Sequence, residues 1–115
     1  MISENFTRVE FECSCGCGFD TVDSELLRLL ENIRAHFDKP VLVNSACRCV
    51  AHNTAVGGGQ HSQHLYGRAA DIVVAGIDPA IVAELAEQLG AGGVGKYETF
   101  THVDSRSNGP ARWEG

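Results

Sequence analysis

A small α+β fold is what this sequence predicts: one domain over residues 1–115, with a short, mainly antiparallel sheet and helices packed on one side of it. Three observations carry that expectation. The 115 residues suffice for one hydrophobic core and not for two. One segment has a clear helical period. Short β-branched runs alternate with glycine-rich turns, with no internal repeat and no linker.

The first element is a helix from Val22 to Phe37, where Val22, Leu26, Leu29, Leu30, Ile33 and Phe37 recur at three- and four-residue steps. Asp23 or Thr21 caps its start. After Pro40, Val41-Leu42-Val43 reads as a buried strand that leads into a long loop. From Ala46 to Arg68 no periodicity is sustained, and Gly57-Gly58-Gly59 removes side chains where backbone must turn or approach something closely. Irregular segments of that length in compact domains are usually functional.

Ala69 to Val74 is a central strand, apolar on both faces apart from Asp71. Asp78-Pro79 caps and starts a second helix whose stripe is Ile81, Val82, Leu85 and Leu89, stopped at Gly90. Gly92-Gly93-Val94-Gly95 reads as a turn into a strand from Tyr97 to Asp104, and Ser105 to Gly115 as a turn-rich tail.

Composition excludes several classes. Hydrophobic residues are 43%, charged residues 21%, and no run of 18 residues is apolar, so neither a disordered chain nor membrane insertion is expected. Nine Lys and Arg against fifteen Asp and Glu leave a charge of −6, with no basic block to neutralise a run of phosphates, so no nucleic-acid partner is expected. Met1-Ile2-Ser3-Glu4 has neither the basic stretch nor the apolar core of a secretory signal, so synthesis in the cytoplasm without a signal peptide is expected. The expected oligomeric state is a monomer.

The chemistry concentrates between Ser62 and Asp71. His64 lies in the glycine-rich loop and Asp71 seven residues later on a strand. Catalytic zinc takes three N or O ligands and keeps a fourth position for water. His102, near the end of another short strand, is the best third ligand, since adjacent strands lie ~5 Å apart. Each of the three residues alone is most simply an ordinary polar side chain. Together they weigh differently, because a carboxylate inside an apolar run is costly to bury unless it is paired or binds a metal.

Ser62-x-His64-x-x-Gly67-x-Ala69-x-Asp71, with Phe100-Thr101-His102-Val103-Asp104, resembles the zinc D-alanyl-D-alanine carboxypeptidases and their phage-type and bacterial peptidoglycan endopeptidase relatives, a group related in fold to the Hedgehog signalling domain. Asn44-Ser45-Ala46-Cys47-Arg48, His52-Asn53 and Val56-Gly57-Gly58 extend the likeness, as does the Ala111-Arg112-Trp113 ending. The resemblance implies a zinc site held by His64, Asp71 and His102, with Arg48 binding a carboxylate or carbonyl of a peptide substrate and Ser62 hydrogen-bonding near the metal. These roles suit the residue types: arginine offers a planar fork, and zinc-bound water loses its proton near neutral pH.

One position departs from the family. Its better-known members carry an acidic general base three residues before the last His ligand, where this chain has Thr99. Glu98 and Asp104 are the available carboxylates and compete as base; residues two apart on a strand face the same side, so both share the face of His102. Asp104 also stands as an alternative ligand to His102. His61 is assigned to substrate or oxyanion contact or, more simply, to solvent. His36 suits a helix C-terminus.

Five cysteines fall in two clusters, Cys13, Cys15 and Cys17, and Cys47 and Cys49. A thiolate zinc site, disulfides and free thiols all remain open for them, with a structural role favoured over catalysis. The functional expectation is a zinc-dependent metallopeptidase that hydrolyses peptidoglycan peptide stems at the bacterial cell wall, either as a carboxypeptidase or as an endopeptidase such as a phage lysis enzyme. The rival is a non-catalytic zinc-containing cell-wall binding module. A third reading is a cysteine-based redox or metal-storage domain.

Overall fold

The computed structural model describes Phe6 and residues 23–45, 68–106 and 110–114. Its elements in chain order are α1 (Ser24–Phe37), β1 (Val41–Ser45), β2 (Ala69–Val74), α2 (Pro79–Gln88), β3 (Gly93–Lys96), β4 (Thr101–Asp104) and β5 (Ala111–Glu114). The strands form one sheet in the order β1-β2-β4-β3-β5. Neighbours are antiparallel except β3 and β5, which run parallel. The sheet is therefore mixed rather than mainly antiparallel. The difference comes from the tail: Ala111-Arg112-Trp113-Glu114, expected to be irregular, alternates half-buried and exposed side chains and adds a strand beside β3.

Both helices begin where their caps stand. The Asp23 carboxylate accepts the Leu26 N–H, and the Asp78 carboxylate accepts the Ala80 N–H at 2.8 Å with Pro79 in the first turn. Thr21, the other cap considered for α1, lies outside the described residues. On α1 the predicted stripe is buried at Leu26, Leu29, Leu30 and Ile33. On α2 the inner positions are Val82, Ala83, Leu85 and Ala86, whereas Ile81 and Leu89 are 52% and 40% exposed. The small alanines, not the bulkier flanking residues, turn toward the core.

Period-two alternation divides the sheet into two faces. Ala70, Ile72 and Val74 of β2, Val103 of β4 and Val94 of β3 join Phe6, Leu30, Ile33, Val82 and Ala86 in one apolar core beneath the helices. Asp71, His102 and Asp104 occupy the intervening positions. β2 is interior, as its apolar character predicts, but β1 is an edge strand rather than a buried one, with Val41 buried and Leu42 60% exposed.

The largest change concerns β3. Gly93–Lys96 is a strand, and the turn falls instead at Tyr97–Phe100, where the Tyr97 N–H reaches the Phe100 carbonyl at 3.1 Å and the two rings stack with centroids 4.3 Å apart. β4 consequently starts only at Thr101. No described helix is long and apolar enough to cross a membrane.

Candidate functional site

β2 and β4 are hydrogen-bonded neighbours, and their register sets Asp71 opposite His102 and Ala69 opposite Asp104. On the other side of β4, Gly95 lies opposite His102 and Gly93 opposite Asp104. His102 and Asp104, two apart on one strand, share a face; Asp71 reaches that face from the next strand.

The His102 ring is buried between two carboxylates. Its Nδ1 is 3.1 Å from Asp71 Oδ1 and its Nε2 is 2.8 Å from Asp104 Oδ2. Asp104 is fully buried and is gripped from its other side by Arg106, whose Nη2 donates to Oδ2 at 2.7 Å, whose Nε donates to Oδ1 at 2.9 Å, and whose backbone N–H donates to Oδ1 at 3.1 Å. Burial pushes the Asp104 carboxyl up, but the hydrogen bonds from His102 and Arg106 outweigh it and hold the group well below the usual carboxylate range. For His102, burial works against protonation. The hydrogen bonds and negative charge of Asp104 and Asp71 prevail, and its pKa lies above the ordinary imidazole value.

An aromatic residue completes the surroundings. The Trp113 ring packs against His102 with centroids 4.8 Å apart, its indole N–H donates to the Tyr97 hydroxyl at 2.8 Å, and the Arg106 guanidinium stands 5.4 Å from its centroid. The glycines of β3 leave room for this. A Cβ at Gly93 would overlap the Asp104 carboxylate, and one at Gly95 would overlap the Trp113 indole.

Of the residues singled out in the sequence, the structure brings Asp71, His102 and Asp104 together. It does not bring Glu98 to them: the residue is exposed on the β3–β4 turn, before β4 begins, so strand alternation does not carry it to the His102 face. Glu98 makes no hydrogen bond or ion pair among the described residues. Arg48, His61, Ser62 and His64 lie outside the described residues, as do all five cysteines. Arg106, Trp113, Gly93 and Gly95 were not assigned to the site from the sequence. Their available signal was local: an arginine two residues after Asp104, and glycines at every second position of a short apolar segment.

The donor chemistry fits a cation. A carboxylate paired to arginine is only an acceptor, so the His102 Nε2 facing it must carry the hydrogen. In a neutral ring Nδ1 is then a lone pair facing another acceptor, Asp71 Oδ1; a proton relieves that opposition, and a cation held by these residues would relieve it too. Imidazole nitrogen and carboxylate oxygen are zinc donors. Among the described residues no group of three or more His, Cys, Asp or Glu is arranged to hold a metal.

Residues 4–104 match the Peptidase M15 family. The chain belongs to that family. It is 39% identical over 72 residues to the zinc D-Ala-D-Ala carboxypeptidase of Streptomyces albus G, an alignment covering 57% of the chain and 28% of the relative. It is 44% identical over 62 residues to the probable peptidoglycan L,D-endopeptidase MepK of Haemophilus influenzae, covering 51% of the chain and 32% of the relative. The M15 domain thus spans about a third or less of the length of these curated relatives.

Proposed function

We propose that this M15 domain is a zinc-dependent peptidase that hydrolyses the peptide stems of peptidoglycan, as a D-Ala-D-Ala carboxypeptidase or as an endopeptidase within the stem or cross-link. The observation that carries the reading is the buried Asp71–His102 pair, a carboxylate oxygen and an imidazole nitrogen 3.1 Å apart on adjacent strands. The relatives' names supply the substrate class.

Asp71 and His102, with His64 seven residues before Asp71 in the sequence, would hold the zinc. Bound there, zinc polarises a scissile carbonyl and acidifies a water. The remaining work belongs to side chains. Arg48 takes a carboxylate or carbonyl of the stem peptide in its planar fork, and Ser62 and His61 hydrogen-bond the substrate beside it. Hydrolysis joins the water oxygen to the carbonyl carbon and transfers a proton to the departing amine, a transfer a carboxylate carries. Glu98 and Asp104 are the two carboxylates considered for it: Glu98 stands on the exposed β3–β4 turn, and both oxygens of Asp104 are already engaged.

Mass spectrometry of purified peptidoglycan fragments, incubated with the protein with and without a chelator, tests the reading. Loss of terminal alanine or new stem fragments, abolished by the chelator, is the expected result. Unchanged masses across several wall types, with zinc shown to be bound, would leave a zinc-containing wall-binding module instead.

A further inference from the structure

We propose that Asp104, clamped by Arg106, is a positioning residue: it fixes the ring orientation and tautomer of His102 so that Nδ1 is the nitrogen offered to the metal. The inference rests on the zinc reading for its purpose, but its structural content is independent of that reading.

Four contacts converge on the Asp104 carboxylate: the Nε2–H of His102, two donors of the Arg106 guanidinium, and the Arg106 backbone N–H. The carboxylate is fully buried, so no solvent competes for its lone pairs. A group so engaged would have to abandon the fork from Arg106 to bind a metal or accept a proton from water. What it can do without moving is accept one hydrogen bond from His102. Because an ionised carboxylate cannot donate, that bond admits only the ring form with hydrogen on Nε2. Nδ1 is left as the lone pair, 3.1 Å from Asp71 Oδ1. Partners of this kind on the far nitrogen of a metal-binding histidine raise its basicity and hold its plane. Gly93, opposite Asp104, is the counterpart on the backbone, since any side chain there would occupy the space of the carboxylate.

Three measurements on the full chain test the assignment. Long-range 15N–1H spectra of the metal-free protein, at a pH where His102 is neutral and with its signals assigned by difference from His102→Gln, are expected to show hydrogen on Nε2. Zinc affinity, read by competition with a chromophoric chelator, is expected to fall about 10- to 100-fold in Asp104→Asn. Arg106→Gln, which leaves the carboxylate in place but unclamped, is expected to give a smaller loss in the same direction and answers the question should Asp104→Asn not fold. Hydrogen on Nδ1 in the wild-type protein overturns the proposal, as do zinc affinities within about twofold of wild type in both variants. If the wild-type protein binds no zinc, or His64→Ala and Asp71→Ala bind it undiminished, the zinc reading fails, and the tautomer alone then judges the role of Asp104.

Discussion

Asp71 Oδ1 and His102 Nδ1 meet at 3.1 Å across two antiparallel strands although the residues are 31 apart in sequence. The pairing depends on the sheet register, so it exists only when β2 and β4 are joined. A ligand that binds both atoms stabilises the folded chain alone. Zinc is therefore expected to raise the melting temperature of the wild-type protein, and Asp71→Ala is expected to abolish that rise. Calorimetry with and without metal, alongside elemental analysis of zinc content, checks both.

In the metal-free protein the stability profile follows from two groups. The raised pKa of His102 contributes stability that is complete below its unfolded value of 6.5 and lost as pH rises through the folded value. The lowered pKa of Asp104 contributes stability that is present above its unfolded value of 3.8 and lost as pH falls through the folded one. Denaturant titrations without zinc are expected to place maximal stability between these two unfolded values, with a decline toward alkaline pH. Zinc binding runs the opposite way, since it requires unprotonated Nδ1, and should strengthen as pH rises through the His102 transition.

Gly93→Ala is expected to destabilise the domain by about 1–3 kcal/mol, the ordinary cost of overpacking, because the new methyl meets the Asp104 carboxylate rather than open space. The same substitution at Gly76, where nothing lies within 4 Å, removes the steric part and leaves only the backbone strain of its positive φ. Urea unfolding of Gly93→Ala, together with its zinc affinity, separates a local clash at the site from general destabilisation: affinity is expected to fall with stability.

Trp113→Phe deletes the indole N–H bonded to the Tyr97 hydroxyl while keeping a ring against His102. About 1 kcal/mol of stability should go with it. Thermal unfolding measures this loss, and an unchanged melting temperature would mean that the bond adds nothing.

Arg48→Ala is expected to lower kcat/KM on stem peptides by about 10- to 100-fold, corresponding to the 1.5–3 kcal/mol of a charge-assisted hydrogen bond, with most of the change in KM. Steady-state kinetics on a defined muropeptide checks it. An equal drop in kcat and in kcat/KM would move Arg48 from substrate binding to the chemical step.

Much of this was legible in the residues. Asp23, Asp78 and Pro79 announce the two helix starts, because caps act locally, and Ala69–Val74 declares an interior strand through its continuous apolar run interrupted by Asp71. What failed to show depended on partners far away in sequence. Gly93 and Gly95 look like a turn until Asp104 and Trp113 are seen to fill the space that their missing side chains leave. The tail reads as irregular because β5 owes its extended form to pairing with β3, and Glu98 reads as part of the last strand whereas the turn between Tyr97 and Phe100 takes up that strand's first half. At the site, the Asp71 carboxylate within an apolar run signals a need for a partner, which His102 meets, while the clamp of Arg106 on Asp104 depends on a turn that the spacing does not reveal.

The side of β3 that faces the site is bare main chain at two successive alternate positions. Main chain locked into a sheet has no rotamers to exchange, so the wall behind Asp104 and Trp113 cannot yield by a side-chain flip. Glycine costs the strand some intrinsic stability, and in return the template around the histidine is as stiff as the hydrogen-bond ladder itself. Variation that loosens the site therefore has to enter through side chains on β2, β4 or β5 or through Arg106, while Gly93 and Gly95 admit no side chain of their own.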